Sequence, residues 1–349
     1  MFENNNCLLK KTKNGKSLYI GLYVDNYLVV GDKDIIEKFM KDIVVQFQVT
    51  STNTIKEFIG CGIKKSTDEI LLHQEDLILK MKKKFWNYFK DMKVYKTPMS
   101  PGGRVIQDKI EENVKLGRDK QTKYRLGVGL LLYLLKHSRP DILNSVHELT
   151  KVMDSANKVH WKMMLWVMKF IFNTENYKLV MKKTEWKEKK LKWNLSGFCD
   201  SDYAGDTDTR QSISGYIIYV NNCPMSWRSQ GQKSVTLSST EAEYVAILEI
   251  VVEILFLQSI FEFIGQKIET PIVVNVDNVG AIYLAKKATT SNRTKHMDIC
   301  YHFVQEYIEK GEVLIQFVRL KMNNSDIMTK NLNEENYWKH ESKMINGWK

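Results

Sequence analysis

The stretch GFCDSDYAGDTDTRQSISGYIIYV, residues 197–220, decides the fold. An apolar strand that ends in acids is followed there by a second strand rich in β-branched and aromatic residues, and PMSWRSQ at 224–230 continues as a third. Three strands in quick succession predict an antiparallel meander. A long helix at 239–264, a strand, two more helices and a last strand follow. Strands first and then alternating helices and strands predict an α/β domain with a mixed sheet over 195–332.

Four acids of this segment lie where strands end or helices begin. Asp200 and Asp277 end apolar strands, Glu243 lies in the first turns of the long helix, and Asp326 begins the last one. Such positions on one side of an α/β sheet converge on a crevice, where gathered carboxylates repel each other unless cations lie between them. Two Mg²⁺ or Mn²⁺ ions would relieve that repulsion and could clamp a phosphodiester for hydrolysis. Each acid alone also fits an ordinary cap or turn role, so the hypothesis rests on the whole pattern.

Composition bounds the class of protein. The chain has 349 residues and a net charge of +11, from 52 Lys+Arg against 41 Asp+Glu, which fits a polyanionic partner such as nucleic acid and an ordinary basic protein equally well. Five scattered cysteines without a CxxC pair argue against zinc and indicate a reducing compartment. The apolar run at 244–265 contains three glutamates, so it predicts an amphipathic helix rather than a membrane span. With no apparent secretory signal, we expect a soluble intracellular protein, cytoplasmic or nuclear, with no membrane partner and no inferable obligate protein partner.

The upstream half divides at the Pro- and Gly-rich segment TPMSPGG, residues 97–103. Before it, Asn14-Gly15 predicts a hairpin, and helices and a strand pair follow. After it, apolar stripes at helical spacing predict a mainly helical region at 120–180. The lysine-rich segment at 182–193 fits either a solvated linker or a patch that grips a nucleic-acid strand.

Five blocks follow one another in an order that resembles the RNase H domain of copia-type LTR retrotransposon polyproteins: GFCDSDYAGDTDTRQSISGYIIY, SWRSQGQKSVTLSSTEAEYVA, VDNVGAIYLA, RTKHMDICYHFVQEYIEKG and NNSDIMTKNL. Two upstream segments look like the connection between polymerase and RNase H in the same polyproteins: YRLGVGLLLYLLKHSRPDI and VHWKMMLWVMKFI. A third, GLYVDNYLVVGD, resembles the Tyr-x-Asp-Asp hairpin of a reverse transcriptase palm. The resemblance implies an RNase H-like five-stranded mixed sheet with flanking helices, preceded by a truncated α+β palm remnant and a helical connection. The implied parts are the palm and its following segment at 1–96, the connection at 97–181, a basic linker at 182–194, the RNase H-like domain at 195–332 and a tail at 333–349.

The same resemblance assigns the RNase H metal ligands to Asp200, Glu243, Asp277 and Asp326, which would hydrolyse the RNA strand of an RNA–DNA hybrid with two Mg²⁺ or Mn²⁺ ions. Asp202, Asp206 and Glu241 compete for the first two of these places; Asp200 is preferred because it follows the apolar strand directly. The candidate nucleic-acid contacts are Ser239, Thr240, Asn278, Arg293, Lys295 and His296. For Asn278 a plain turn role is an equal alternative, and the last three could instead form a structural cluster.

In the palm-like hairpin, Asp25 stands at a metal-ligand position, which we expect to be vestigial. Asn26 replaces the second Asp of the motif, and the palm strand that should donate another Asp would precede the first residue. We therefore expect polymerase activity by descent to be lost. The alternatives to an RNase H are a catalytically dead retroelement remnant that at most binds nucleic acid, and a host-adopted protein whose fold mediates protein contacts.

Overall fold

The computed structural model describes residues 7–52, 54–89, 92–106, 115–183, 193–286 and 295–346, with only the backbone for 295–301. The first part is an antiparallel sheet of three strands, β1 (Leu8–Lys13), β2 (Lys16–Tyr23) and β3 (Asn26–Gly31), followed by the helix α1 (Lys33–Gln46). Asn14 and Gly15 form the predicted turn between β1 and β2 with positive φ angles of 51° and 75°. Positive φ at both central residues is what a two-residue hairpin turn requires, which explains the Asn-Gly pair.

The second part mixes strands with the predicted helices. It contains β4 (Glu57–Phe58), β5 (Cys61–Lys65), β6 (Glu69–His73), α2 (Glu75–Phe85), α3 (Arg118–His137), α4 (Leu143–Thr150), α5 (Lys158–Asn173) and β7 (Lys178–Lys182). Asn157 caps α5, because its side chain accepts hydrogen bonds from the N–H groups of Val159 and His160. The strand β7 lies beyond the predicted helices and pairs antiparallel with β6. Most of the predicted basic linker, 184–192, lies outside the described residues.

The third part carries the predicted mixed sheet. It runs through β8 (Leu195–Asp202), β9 (Ile213–Val220), β10 (Cys223–Gly231), α6 (Ser239–Phe263), β11 (Ile272–Val276), α7 (Val279–Lys286), α8 (Lys295–Glu309), β12 (Val313–Phe317) and α9 (Asp326–Thr329). The strand order is β10-β9-β8-β11-β12. The first three strands are antiparallel, whereas β8, β11 and β12 are parallel.

The C-terminal segment is an integral part of the fold rather than the tail that the sequence suggests. It forms α10 (Glu334–Glu341) and β13 (Ile345–Asn346). The strand β13 pairs with β7 at the edge of a second five-stranded sheet, of order β13-β7-β6-β5-β4. A buried polar cluster links α10 to the rest of the protein. Arg139 makes two hydrogen bonds to Asp141, at 2.8 and 2.7 Å, and the Tyr337 hydroxyl from α10 donates to the same carboxylate at 2.9 Å.

Each face of the mixed sheet is covered by a different set of helices. Along β9, Tyr216 and Ile218 point into a core shared with α6, α7 and α8, whereas Ile217 and Tyr219 point into a core shared with α3, α4 and α5. This alternation is the period of two expected for a strand buried on both faces. The helix α6 is long and apolar enough to cross a bilayer, and half of its most apolar window is buried inside the protein.

The N-terminal sheet contacts the far end of α6. The Lys10 ammonium donates to the Phe263 carbonyl at 2.9 Å, and the Tyr19 hydroxyl donates to the Ile264 carbonyl at 2.6 Å. These donors satisfy carbonyl groups that a helix C-terminus leaves without intrahelical partners. A positive charge at this position also complements the helix dipole.

Candidate metal centre

The strand order brings together the predicted acids of the neighbouring strands β8 and β11. Asp200 lies in β8, and Asp277 follows β11 directly. Because β8 and β11 are parallel neighbours, their carboxyl ends meet at one edge of the sheet. Glu243 projects from the second turn of α6, which packs on β8, and Asp326 is the first residue of α9, which packs on β8 and β9.

Three of the four carboxylates converge closely. Asp200, Glu243 and Asp277 each offer one oxygen, and these oxygens all lie within 4.8 Å of one another. Asp326 joins the cluster through Lys330, whose ammonium lies 3.0 Å from Asp200 Oδ2 and 3.1 Å from Asp326 Oδ1. Asp200 and Glu243 are buried, at 1% and 5% exposure.

Burial and mutual repulsion make these carboxylates reluctant to ionise. Burial raises the pKa of Asp200 to about 7, against the opposing effect of Lys330. Burial, together with the charges of Asp200 and Asp277, raises the pKa of Glu243 to about 9. Burial also raises the pKa values of Asp277 and Asp326, while Lys330 lowers them. When ionised, the carboxylates of such a cluster repel one another, and a bound cation would relieve that repulsion.

The competing acids are engaged elsewhere. Asp202 forms an ion pair with Arg104, and Asp206 lies 2.9 Å from the Lys151 ammonium. Glu241 accepts a hydrogen bond at 2.6 Å from a backbone N–H just before α6, so it caps that helix. The geometry therefore favours Asp200 and Glu243 as members of the cluster over these three alternatives.

A short loop fixes Asp326 against the sheet. Asn323 donates a hydrogen bond at 3.0 Å to the carbonyl of Cys199, the residue before Asp200 in β8. Its Oδ1 accepts at 2.6 Å from the hydroxyl of Ser325. These hydrogen bonds tie the start of α9 to β8, the strand that carries Asp200. They thereby fix the position of the Asp326 carboxylate relative to that of Asp200.

Two residues near the acids were missed by the sequence analysis. Thr329 donates a hydrogen bond to Asp200 Oδ2, and Lys330 bridges Asp200 and Asp326. The signal was present, since Lys330 stands four residues after Asp326 in DIMTK and so lies one helical turn away. A lysine at the end of a helix is more often a solvated charge, which is why it did not stand out.

The structure describes the side chains of some of the predicted nucleic-acid contacts and not of others. Ser239 is exposed and Thr240 is half-buried at the start of α6. Asn278 Oδ1 accepts from the Ala281 N–H at 3.0 Å, as a helix N-cap does, which leaves its amide N–H groups as the donors for a ligand. Arg293 lies outside the described residues, as do the side chains of Lys295 and His296, whose backbone begins α8.

The palm-like Asp25 lies far from this cluster in the chain. It is exposed in the two-residue turn between β2 and β3, beside Val24, which has a positive φ of 52°. A β-branched residue in that conformation is strained. Among the described residues, the close group of acidic side chains does not include Asp25.

The cluster fits a hard divalent cation. All its metal-facing donors are carboxylate oxygens, which suit Mg²⁺ or Mn²⁺. Glu243 Oε1 accepts a hydrogen bond from the Ser201 N–H at 3.1 Å, whereas the second oxygen, Oε2, is buried and has no hydrogen-bond partner among the described residues. A buried carboxylate oxygen without a donor is costly, and a metal ion would satisfy it.

A mixed five-stranded sheet of this order, covered by helices and carrying acids at its carboxyl edge, defines an RNase H-like domain. The homologues of the chain are copia-type retrovirus-related Pol polyproteins from plant transposons, which cover about 92% of it. It is 30% identical over 332 residues, 95% of the chain, to the Pol polyprotein from transposon RE1 of Arabidopsis thaliana. It is 28% identical over 325 residues, 92% of the chain, to that from transposon TNT 1-94 of Nicotiana tabacum.

The chain spans 22% and 24% of the length of these two relatives. No protein-family model matches the sequence. Among solved structures, the foamy viral protease-reverse transcriptase in complex with dsDNA is similar over 86% of this chain and 55% of that chain, with 10% identity and a TM-score of 0.45.

Proposed function

We propose that residues 195–332 form a metal-dependent ribonuclease H that hydrolyses the RNA strand of RNA–DNA hybrids. The observation that carries the proposal is the convergence of carboxylate oxygens from Asp200, Glu243 and Asp277 within 4.8 Å at the carboxyl edge of the sheet. The similarity to Pol polyproteins from transposons TNT 1-94 and RE1, over 92% and 95% of the chain, supports it.

Asp200, Glu243, Asp277 and Asp326 would hold the divalent ions. Bound there, Mg²⁺ or Mn²⁺ would lower the pKa of a water molecule and stabilise negative charge on the phosphate. The chain's own residues orient the donors: Thr329 fixes one oxygen of Asp200, and the Ser201 N–H fixes one oxygen of Glu243. The burial of Asp200 and Glu243 lowers the local dielectric and so strengthens each electrostatic interaction there.

The substrate proposal rests on charge and position. The net charge of +11 favours a polyanion, and phosphate contacts supply most of such binding. Exposed Ser239 and the amide of Asn278 lie at the starts of α6 and α7, beside the acids, where they would contact the backbone or groove of the hybrid. Arg293, Lys295 and His296 are proposed as phosphate contacts on the same domain.

We do not assign nucleotidyl transfer to the palm-like hairpin. Asn26 places a neutral amide where the resembling motif has a carboxylate, and an amide is a much weaker ligand for a divalent ion. The proposed division of labour gives hydrolysis to 195–332 and leaves 1–96 and the connection at 97–181 without catalysis.

The test is cleavage of an RNA–DNA hybrid labelled on the RNA strand, by the full chain, with Mg²⁺, with Mn²⁺ and with EDTA. Duplex RNA and duplex DNA serve as comparison substrates. We expect metal-dependent cleavage of the hybrid's RNA strand, abolished in Asp277→Asn and retained in Asp154→Asn, which changes a carboxylate that is 94% exposed in the connection. Equal metal-dependent cleavage by wild type and Asp277→Asn, or none by wild type, would contradict the proposal.

A further inference from the structure

The acidic cluster has two electrostatically different sides. On one side, Lys330 Nζ lies 3.0 Å from Asp200 Oδ2, 3.2 Å from Asp200 Oδ1 and 3.1 Å from Asp326 Oδ1. On the other side, Asp200, Glu243 and Asp277 converge, and Glu243 Oε2 has no hydrogen-bond partner within the described parts of the chain. Among the residues that the structure describes, a cation of the protein therefore compensates the Asp200–Asp326 edge, whereas none compensates the Glu243 side.

We propose that the Lys330 ammonium is a built-in counter-cation that competes with one divalent ion for the Asp200–Asp326 edge. This inference rests on the proposed function, because it concerns how the same cluster takes up its ions. An ammonium at hydrogen-bond distance from both carboxylates occupies the space that a bridging Mg²⁺ or Mn²⁺ would need at about 2.1 Å from each. The two cations exclude each other from that edge by volume as well as by charge.

The side chain is placed so that it can both hold this position and leave it. Lys330 directly follows α9, and its backbone N–H donates to the Asp326 carbonyl at 2.9 Å, which anchors its base beside the cluster. Its side chain is 34% exposed, whereas those of Asp200 and Asp326 are 1% and 10% exposed. The flexible four-carbon stem of lysine lets the ammonium swing toward solvent without moving the helix.

The ordering of metal uptake follows from this arrangement. The first ion binds on the Glu243 side, where no described residue donates a hydrogen bond to one carboxylate oxygen. A second ion at Asp326 must displace Lys330, so it binds more weakly than it would in the absence of that charge. Lys330 is a positioning residue in this account, since it acts through the carboxylates.

The experiment is Mn²⁺ binding to the metal-free full chain, followed by electron paramagnetic resonance of the free ion. We expect one tighter and one weaker ion at the cluster of wild type, and at least a roughly tenfold gain in affinity for the weaker ion in Lys330→Met, because a competing positive charge is removed. Lys330→Arg keeps the charge and stays close to wild type. Lys310→Met, which removes an exposed lysine paired with Glu306, is the matched control and leaves binding unchanged.

A merely structural lysine would lower metal affinity when removed, so a gain is diagnostic. Lys330→Gln, which keeps a hydrogen-bond donor but no charge, replaces Lys330→Met if the latter does not fold, and the same gain is expected. Superimposable isotherms for wild type and the uncharged variant, in a protein that binds Mn²⁺ and cleaves hybrid, overturn the Lys330 proposal alone. Absence of Mn²⁺ binding at the cluster together with absence of cleavage overturns the proposed function and this inference with it.

Discussion

Replacing Glu243 by glutamine should stabilise the metal-free protein while removing a metal ligand. In the metal-free protein, burial and the charges of Asp200 and Asp277 raise the pKa of Glu243 to about 9, whereas the unfolded chain has the ordinary value of 4.5. Between these two values the unfolded state loses its proton first. The folded state therefore loses stability as the pH rises through this window.

The size of the destabilisation follows from the difference between the pKa values of Glu243 in the folded and the unfolded state. One pKa unit corresponds to about 1.4 kcal/mol, so the carboxylate costs less than about 1 kcal/mol at pH 5 and about 4 kcal/mol at pH 7.5. Glu243→Gln removes a cost of this size because glutamine carries no charge to bury. At about 3 °C per kcal/mol for a domain of this size, the melting temperature at pH 7.5 should rise by about 10 °C.

The assay is thermal unfolding in EDTA from pH 5 to pH 9, for wild type, Glu243→Gln and the control Glu241→Gln. Glu241 caps the same helix from a more exposed position, so its replacement should not reproduce the pH-dependent gain. Excess Mg²⁺ should stabilise wild type more than Glu243→Gln, because a ligand that binds the folded state adds to stability. A Glu243→Gln variant that is no more stable than wild type at pH 8 in EDTA would refute the crowding of carboxylates on which the reasoning rests.

Three further perturbations test the fold around the site. Arg139→Met should lower the free energy of unfolding by about 3–5 kcal/mol, measured by urea denaturation, because it strands the fully buried Asp141 carboxylate; Arg139→Met combined with Asp141→Leu should recover much of the loss. Gly215→Ala should weaken hybrid cleavage and lower the melting temperature, since its Cβ would lie 2.6 Å from Thr329 Cγ2 and 2.8 Å from Met328 Cβ in α9. Gly129→Ala, at an open helical site, should instead stabilise by up to about 1 kcal/mol, and equal effects of the two changes would contradict the packing. Burial lowers the pKa of His340 to about 4 from 6.5, so the unfolded state binds its proton first and stability should fall as the pH drops from 6.5 to 4; His340→Gln should flatten this loss in acid unfolding curves, and an unchanged curve would count against the burial of the ring.

The mixed sheet was predictable because its signals are local. Alternating apolar residues in SGYIIYV and the apolar runs that end in Asp200 and Asp277 indicate strands without knowledge of their partners. The five-stranded mixed sheet is confirmed by the strand order, and the prediction of an RNase H-like fold with it. The catalytic roles of the four acids and the division into domains remain predictions.

The elements that the sequence did not reveal depend on distant partners. KLVMK at 178–182 is short and follows a helix, so only its pairing with β6 makes it a strand. The segment after 332 looks like a polar tail until Tyr337 is seen to donate to Asp141, almost two hundred positions earlier. The role of Lys330 was likewise hidden, because it depends on contact with Asp200, which lies on the distant strand β8.

The most direct test of the central claim is the position of Mn²⁺ in crystals of the full chain, located by anomalous diffraction. The account predicts an anomalous peak in contact with carboxylate oxygens of Asp200, Glu243 and Asp277, at about 2.2 Å from each, and its loss in Asp277→Asn. Full Mn²⁺ occupancy elsewhere with no peak at these three carboxylates would contradict it.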